Sequence, residues 1–137
     1  MRPWILPAVI GLLALADGIL HLSLDILLFR GEFLRNRLSQ LFLLNAIGYL
    51  VLVAAFFLGP RWLGARRWLV DLALIGYAVA TFVTWLTYGR PNPLGLGYVS
   101  KAIEIMLVVA LLAHLLVVAR RPRPGEARQA RPSTDEP

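Results

Sequence analysis

Ala14-Leu15-Ala16-Asp17-Gly18-Ile19-Leu20-His21-Leu22-Ser23-Leu24-Asp25-Ile26-Leu27-Leu28-Phe29 closes an apolar run that begins at Trp4. The run exceeds the roughly 20 residues that cross a bilayer core, yet it carries two carboxylates and an imidazole at four-residue spacing. In lipid every backbone amide must be satisfied within its own segment, so the run is a helix. Residues four apart stack one turn above each other, which puts Asp17, His21 and Asp25 in one stripe. Ionisable groups are costly against acyl chains and turn toward a protein interior, a partner charge or water. The stripe therefore predicts a helix whose polar side is covered by other helices.

The rest of the chain supplies them. Of 137 residues, 58% are hydrophobic and mean hydropathy is +0.69, too apolar for a soluble domain of this length. Four spans follow, 4–29, 38–59, 67–88 and 98–119, joined by short connections that make sequential neighbours antiparallel. The expected fold class is all-α: a four-helix transmembrane up-down bundle over residues 1–119. Pro60–Arg66 and Gly89–Gly97 read as Pro/Gly-rich connectors. Residues 120–137 read as a disordered, Arg/Pro-rich cytoplasmic tail. Trp4, Trp62, Trp68, Trp85, Tyr88 and Tyr98 fall near span ends, as interfacial anchors do.

Net charge is +6, and 13 of the 14 basic residues are arginine, placed in connections and tail. That placement fits topology signals and anionic lipid, and argues against a nucleic-acid groove. Arg2, Arg61, Arg66, Arg67 and the five tail arginines share one side, nine against the five of Arg30, Arg35, Arg37, Arg90 and Lys101. The positive-inside rule puts both termini in the cytoplasm. A bacterial cytoplasmic membrane is the expected location. One competing reading takes Arg2 and Ala14-Leu15-Ala16 as a signal peptide cleaved after Ala16, but the run continues apolar to Phe29.

Measured from helix midpoints at about 1.5 Å per residue, the polar residues fall into layers. Asp17, Tyr49 and Tyr77 lie near the midplane. His21, Asn45, Thr81 and Glu104 lie about a turn toward the outer side, and Asp25, Gln40, Trp85 and Lys101 a further turn out. The expected site is an outer-half pocket of Asp17, His21, Asp25, Asn45, Tyr49, Thr81, Lys101 and Glu104, rich in acid and suited to protons or a small cationic ligand. Taken alone, Lys101 and Glu104 at i,i+3 read as a structural pair; Asp17, a midplane acid without a basic partner at its own depth, reads as functional. On the inner side Asp71 and His114 read as structural, with Arg67, one turn before Asp71, as the plainer ion-pair partner. Ala14/Gly18 and Gly76/Ala80 are small-residue pairs that permit close helix approach.

Several chemistries lack their signatures. The absence of cysteine removes disulfides, thiolate nucleophiles and Cys-ligated metal. His21 and His114 should lie about 15 Å apart along the membrane normal, too far to hold one haem. Asp17, His21 and Glu104 are metal-ligand types, but no recognised spacing joins them, so no metal and no cofactor is expected. No nucleophile elbow and no phosphate-binding glycine loop is present.

Leu44-Asn45-Ala46-Ile47-Gly48-Tyr49-Leu50, Gly89-Arg90-Pro91 and Gly97-Tyr98-x-x-Lys101-x-x-Glu104 resemble an uncharacterised group of small four-span prokaryotic membrane proteins. The resemblance covers most of the bundle, implies its fold and transfers no catalytic residue. The outline of four spans with an acid in the first is similar to small multidrug transporters, although the one-sided charge argues against their dual orientation. The general plan also looks like that of the four-span emopamil-binding isomerases, without a residue-by-residue match. Three functions follow: binding or transport of a small cationic ligand or protons, an accessory subunit of a membrane complex, and a lipid-modifying enzyme, the least favoured. The bilayer, a small-molecule ligand, further copies of the chain or a larger complex are the expected partners. A fluorescent reporter that matures only in the cytoplasm, fused after Pro137, is expected to be bright; a dark fusion that is still inserted would invert the orientation.

Overall fold

The computed structural model describes residues 4–30, 36–88, 90 and 92–119. Among these the chain forms α1 (Ile5–Phe29), α2 (Arg37–Leu63), α3 (Trp68–Thr87) and α4 (Leu96–Ala119), with 3-10 turns at Gly64–Arg66 and Pro93–Gly95 and no strand. All four α-helices are long and apolar enough to cross a bilayer, and the protein is a multi-pass, all-helical bundle. α1 packs on α2 and α4, and α3 closes the ring between them. The tail expected over 120–137 and most of the first loop lie outside the described residues.

Local signals set the helix ends. α1 stops at Arg30, which turns left-handed (φ 48°) and donates its N–H to the Ile26 carbonyl. The Asn36 side chain accepts from Leu38 N–H at 2.9 Å and starts α2. Asn92 accepts the Tyr98 N–H at 3.4 Å and caps the beginning of α4, which starts at Leu96, earlier than the apolar pattern suggests. α2 corrects the expected connector at its other end, because the helix continues through Pro60 to Leu63. A proline deletes one backbone donor, and membrane helices tolerate that loss where neighbouring groups re-satisfy the carbonyl.

The core face of α1 runs Ile10, Ala14, Asp17, His21, Leu24 and Asp25, all buried. Apolar and ionisable residues thus share one face, divided by height along the helix rather than by angle. At the height of Ile10 and Ala14, the residues Val53, Leu74, Leu107 and Leu111 form an apolar layer, with Tyr49 on the same cluster. Residues ahead of Ala16 are therefore part of the core.

Close approach explains where glycine is needed. A Cβ on Gly18 would sit 3.3 Å from Tyr49 Cβ and 3.4 Å from the Ala46 carbonyl, so α1 and α2 meet nearly backbone to backbone. A Cβ on Gly48 would collide with the Tyr77 phenol. The missing side chain lets Tyr77 cross α2 and donate to the Leu44 carbonyl at 3.0 Å. A Cβ on Gly76 would meet nothing within 4 Å, and both Gly76 and Ala80 lie on the exposed surface of α3. Gly48→Ala is expected to lower stability by about 1–3 kcal/mol through overpacking, whereas Gly76→Ala should be neutral; thermal melts of the two variants in detergent decide this, and equal midpoints would count against the Tyr77 crossing.

Candidate functional site

Three buried carboxylates organise the half of the bundle that carries the α1–α2 and α3–α4 connections. Each is held by one short hydrogen bond from a neighbouring helix or by an ion pair, and each keeps one oxygen unpaired. Asp17, fully buried, accepts from Ser100 of α4 at 2.8 Å through Oδ1. Asp25, also fully buried, accepts from Ser39 of α2 at 2.5 Å through Oδ1. Glu104 Oε1 accepts from Lys101 Nζ at 2.6 Å and from Thr81 Oγ1 of α3 at 2.7 Å. Among the described residues, Asp17 Oδ2, Asp25 Oδ2 and Glu104 Oε2 have no hydrogen-bond donor.

His21 joins two of these acids. Its Nδ1 lies 2.9 Å from the Asp17 carbonyl, which can only accept, so Nδ1 carries the hydrogen. In the neutral ring Nε2 then keeps a lone pair. The same Nδ1 is 3.5 Å from Asp17 Oδ2, within ion-pairing range when the ring is protonated. One ligand-type atom each from Asp17, His21 and Glu104 fall within 4.8 Å of one another, although α1 and α4 contribute them from distant points of the chain.

Hydroxyl groups extend this cluster. Tyr49 Oη and Thr81 Oγ1 lie 3.3 Å apart, and Thr81 Oγ1 is also 2.9 Å from the Ala78 carbonyl. Thr81 has a single hydrogen to share between Glu104 and that carbonyl, and an open lone pair for the Tyr49 hydroxyl. Tyr49 packs edge-on against Tyr77 at 5.1 Å, and Tyr77 Oη lies 3.4 Å from Asn45 Oδ1. Asn45 thus reaches the cluster through Tyr77, and it also lines the cleft beside His21 and Thr81. The Lys101 ammonium sits 6.0 Å from the rings of both Phe82 and Trp85, close enough for cation–π attraction.

A cleft of about 40 Å³ lies between His21, Phe42, Thr81, Trp85, Ser100 and Lys101 and reaches Tyr88 and Gly97 near the helix ends. That is space for a few water molecules. The carboxylates stand behind its wall, and a drug-sized ligand does not fit without movement. On another side, Glu104 borders an apolar groove of about 240 Å³ between α3 and α4 with Val79, Phe82, Ile105 and Val109.

The structure brings Asp17, His21, Tyr49, Thr81, Lys101 and Glu104 together. Asp25 forms a separate pair further along α1. Gln40, expected in the layer of Asp25, is exposed, and Ser39 takes the inward position one residue earlier. Ser39 and Ser100 are the partners that sequence reasoning missed; their spacing along the inward faces, Ser39 before Ala46 and Ser100 before Glu104 and Leu107, is the signal that points to them. At the opposite end of the bundle His114 Nδ1 lies 3.1 Å from Asp71 Oδ2, so the partner given for Asp71 is the helix-to-helix one, with Arg67 on the wall of the same cavity. Trp85, expected as an interfacial anchor, lines the cleft and packs against Tyr98 at 5.6 Å.

Compared with known protein families, characterised proteins and solved structures, the chain shows no match.

Thr81→Val removes the hydroxyl shared by Glu104 and Tyr49 while keeping its shape. A loss of about 1–3 kcal/mol is expected from the acceptor left unsatisfied. In a double-mutant cycle, Thr81→Val and Glu104→Gln should couple; additive shifts in melting midpoint would show that the two side chains do not share a hydrogen bond.

Proposed function

We propose that this protein exchanges protons, or a small protonatable cation, between the outer side of the membrane and the carboxylate cluster inside the bundle. The carrying observation is that Asp17 and Glu104 each bury an oxygen without a donor, next to His21 and Lys101 on the wall of a water-sized cleft. An arrangement selected only to hold helices together gains nothing from such orphan oxygens, because a buried acceptor without a donor costs about 1–3 kcal/mol, and more when charged. A proton or a cation satisfies such an oxygen, and the water in the cleft brings either one to it. The size of the cleft favours small species, and its position near the helix ends gives them a path.

Passage to the other side is blocked by the apolar layer of Ile10, Ala14, Val53, Leu74, Leu107 and Leu111. Beyond it lies the cavity of Asp71, His114 and Arg67, about 140 Å³. Two polar chambers separated by a dry layer suit a carrier that opens to one face at a time. The outer assignment of the Asp17 chamber follows from the arginine count, and a bacterial cytoplasmic membrane is the setting we propose. One observation favours a second reading, an enzyme acting on a lipid: the apolar groove that reaches Glu104 from between α3 and α4. It predicts lipid turnover that Glu104→Gln abolishes.

Proteoliposomes loaded with a pH-sensitive dye test the first reading. After an external pH step, vesicles containing the protein should equilibrate faster than empty ones, and Asp17→Asn should return the rate to that of empty vesicles. An unchanged rate in Asp17→Asn would remove Asp17 from the path, and equal rates with and without protein would remove the function.

A further inference from the structure

The cluster at the back of the cleft has the composition of a metal site. Asp17, His21 and Glu104 are each at least 96% buried by their exposures of 0%, 4% and 2%. Their ligand-type atoms lie within 4.8 Å of one another. Ligands of one tetrahedral ion with bonds of about 2.0–2.2 Å lie about 3.3–3.6 Å apart, so side-chain adjustment of up to about an ångström brings all three onto one centre. Independently of that proximity, Asp17 Oδ2 and Glu104 Oε2 are each without a donor, and with His21 Nδ1 donating to the Asp17 carbonyl, Nε2 is the ring nitrogen free to bind an ion.

The surrounding groups are those that orient ligands. Metal-binding histidines commonly donate their second ring N–H to a carbonyl or carboxylate, as His21 Nδ1 does to the Asp17 carbonyl. Ser100 fixes the other oxygen of Asp17, and Thr81 and Lys101 fix the other oxygen of Glu104. In each carboxylate the oriented oxygen is the one engaged by protein, and the remaining oxygen is the one left for an ion.

We propose that Asp17, His21 and Glu104 bind one divalent first-row transition-metal ion. One imidazole with two carboxylates, and no thiolate in the chain, suits Zn²⁺, Fe²⁺ or Mn²⁺. Three protein ligands leave a position open for water or a small anion, with the cleft on the His21 side as its route. The Lys101 ammonium opposes the ion electrostatically and makes the affinity moderate. This inference deepens the cation-exchange reading by naming the cation class, and it rests on that reading for the ion's access from the outer side.

Zn²⁺ titration of the metal-stripped full chain in detergent, followed by calorimetry, tests it. One ion per chain is expected. Asp17→Asn, His21→Ala and Glu104→Gln should each weaken binding at least about 100-fold, the scale of losing a ligand or its support. His114→Ala, in the other chamber, should leave it unchanged. Lys101→Gln keeps a donor for Glu104 and removes the opposing charge, so it should tighten binding about tenfold or more. Where a variant fails to fold, Co²⁺ added to the unaltered chain decides: intense visible bands of a four- or five-coordinate ion support the site, and the faint spectrum of hydrated Co²⁺ overturns it. No stoichiometric Zn²⁺ binding, or binding lost with His114 instead, also overturns it. Zn²⁺ binding absent with Asp17-dependent proton flux intact would sink the metal alone; binding present without flux would sink the transport reading and leave the metal site standing.

Discussion

Burying a carboxylate in a medium that cannot solvate it is the constraint from which the rest of this bundle follows. Asp17, Asp25 and Glu104 sit inside four helices whose outer surfaces are apolar, and each needs a donor from another helix. Ser100, Ser39 and Thr81 provide those donors, and they tie α1 to α4, α1 to α2 and α3 to α4. Because a short hydroxyl reaches only one place, these bonds fix the rotation of each helix about its own axis, which apolar packing against lipid-facing neighbours would leave loose. The polar groups therefore specify which bundle forms, while the apolar faces specify that one forms.

The same bonds leave one oxygen of every acid over. A hydroxyl donates a single hydrogen, so one serine cannot satisfy both oxygens of a carboxylate. Glu104 has an ammonium and a hydroxyl, but both converge on Oε1. The remaining oxygens form a reserve of unsatisfied acceptors just behind a cleft wide enough for water. A second donor on each acid would hold the helices more firmly and, on the function proposed above, would close the place where a proton or ion binds.

Height along the bundle divides the roles. The apolar layer around Ile10, Leu74 and Leu107 keeps the two polar chambers apart, and Tyr49 borders both the layer and the carboxylate cluster, packing on Tyr77 below its own hydroxyl contact with Thr81. Gly48 permits this by yielding space to Tyr77. The asparagine, glycine and tyrosine of the Leu44–Leu50 stretch are thus explained by one crossing: Tyr77 passes over Gly48, reaches the Leu44 carbonyl and Asn45, and buttresses Tyr49.

Heights taken from span midpoints were inexact, since Ser100, next to Lys101 of the outermost layer, bonds Asp17 of the midplane layer; the number of spans and the all-helical class were determined by the sequence alone, because hydropathy and helical periodicity are local quantities. Asp17, His21 and Asp25 could be placed on one face for the same reason. Rotation was not legible to that accuracy: a step of one residue turns a helix by about 100°, and this is the difference between Gln40, exposed, and Ser39, buried on Asp25. Ser100 and Ser39 could be placed on inward faces by their spacing but not paired, because a helical serine can satisfy its hydroxyl on its own backbone, so its presence names no partner. The meeting of Asp17 and His21 with Glu104, like the bond to Asp17 from Ser100, 83 residues further along the chain, was decided only by tertiary packing. No spacing within one helix encodes a cluster whose members arrive from two.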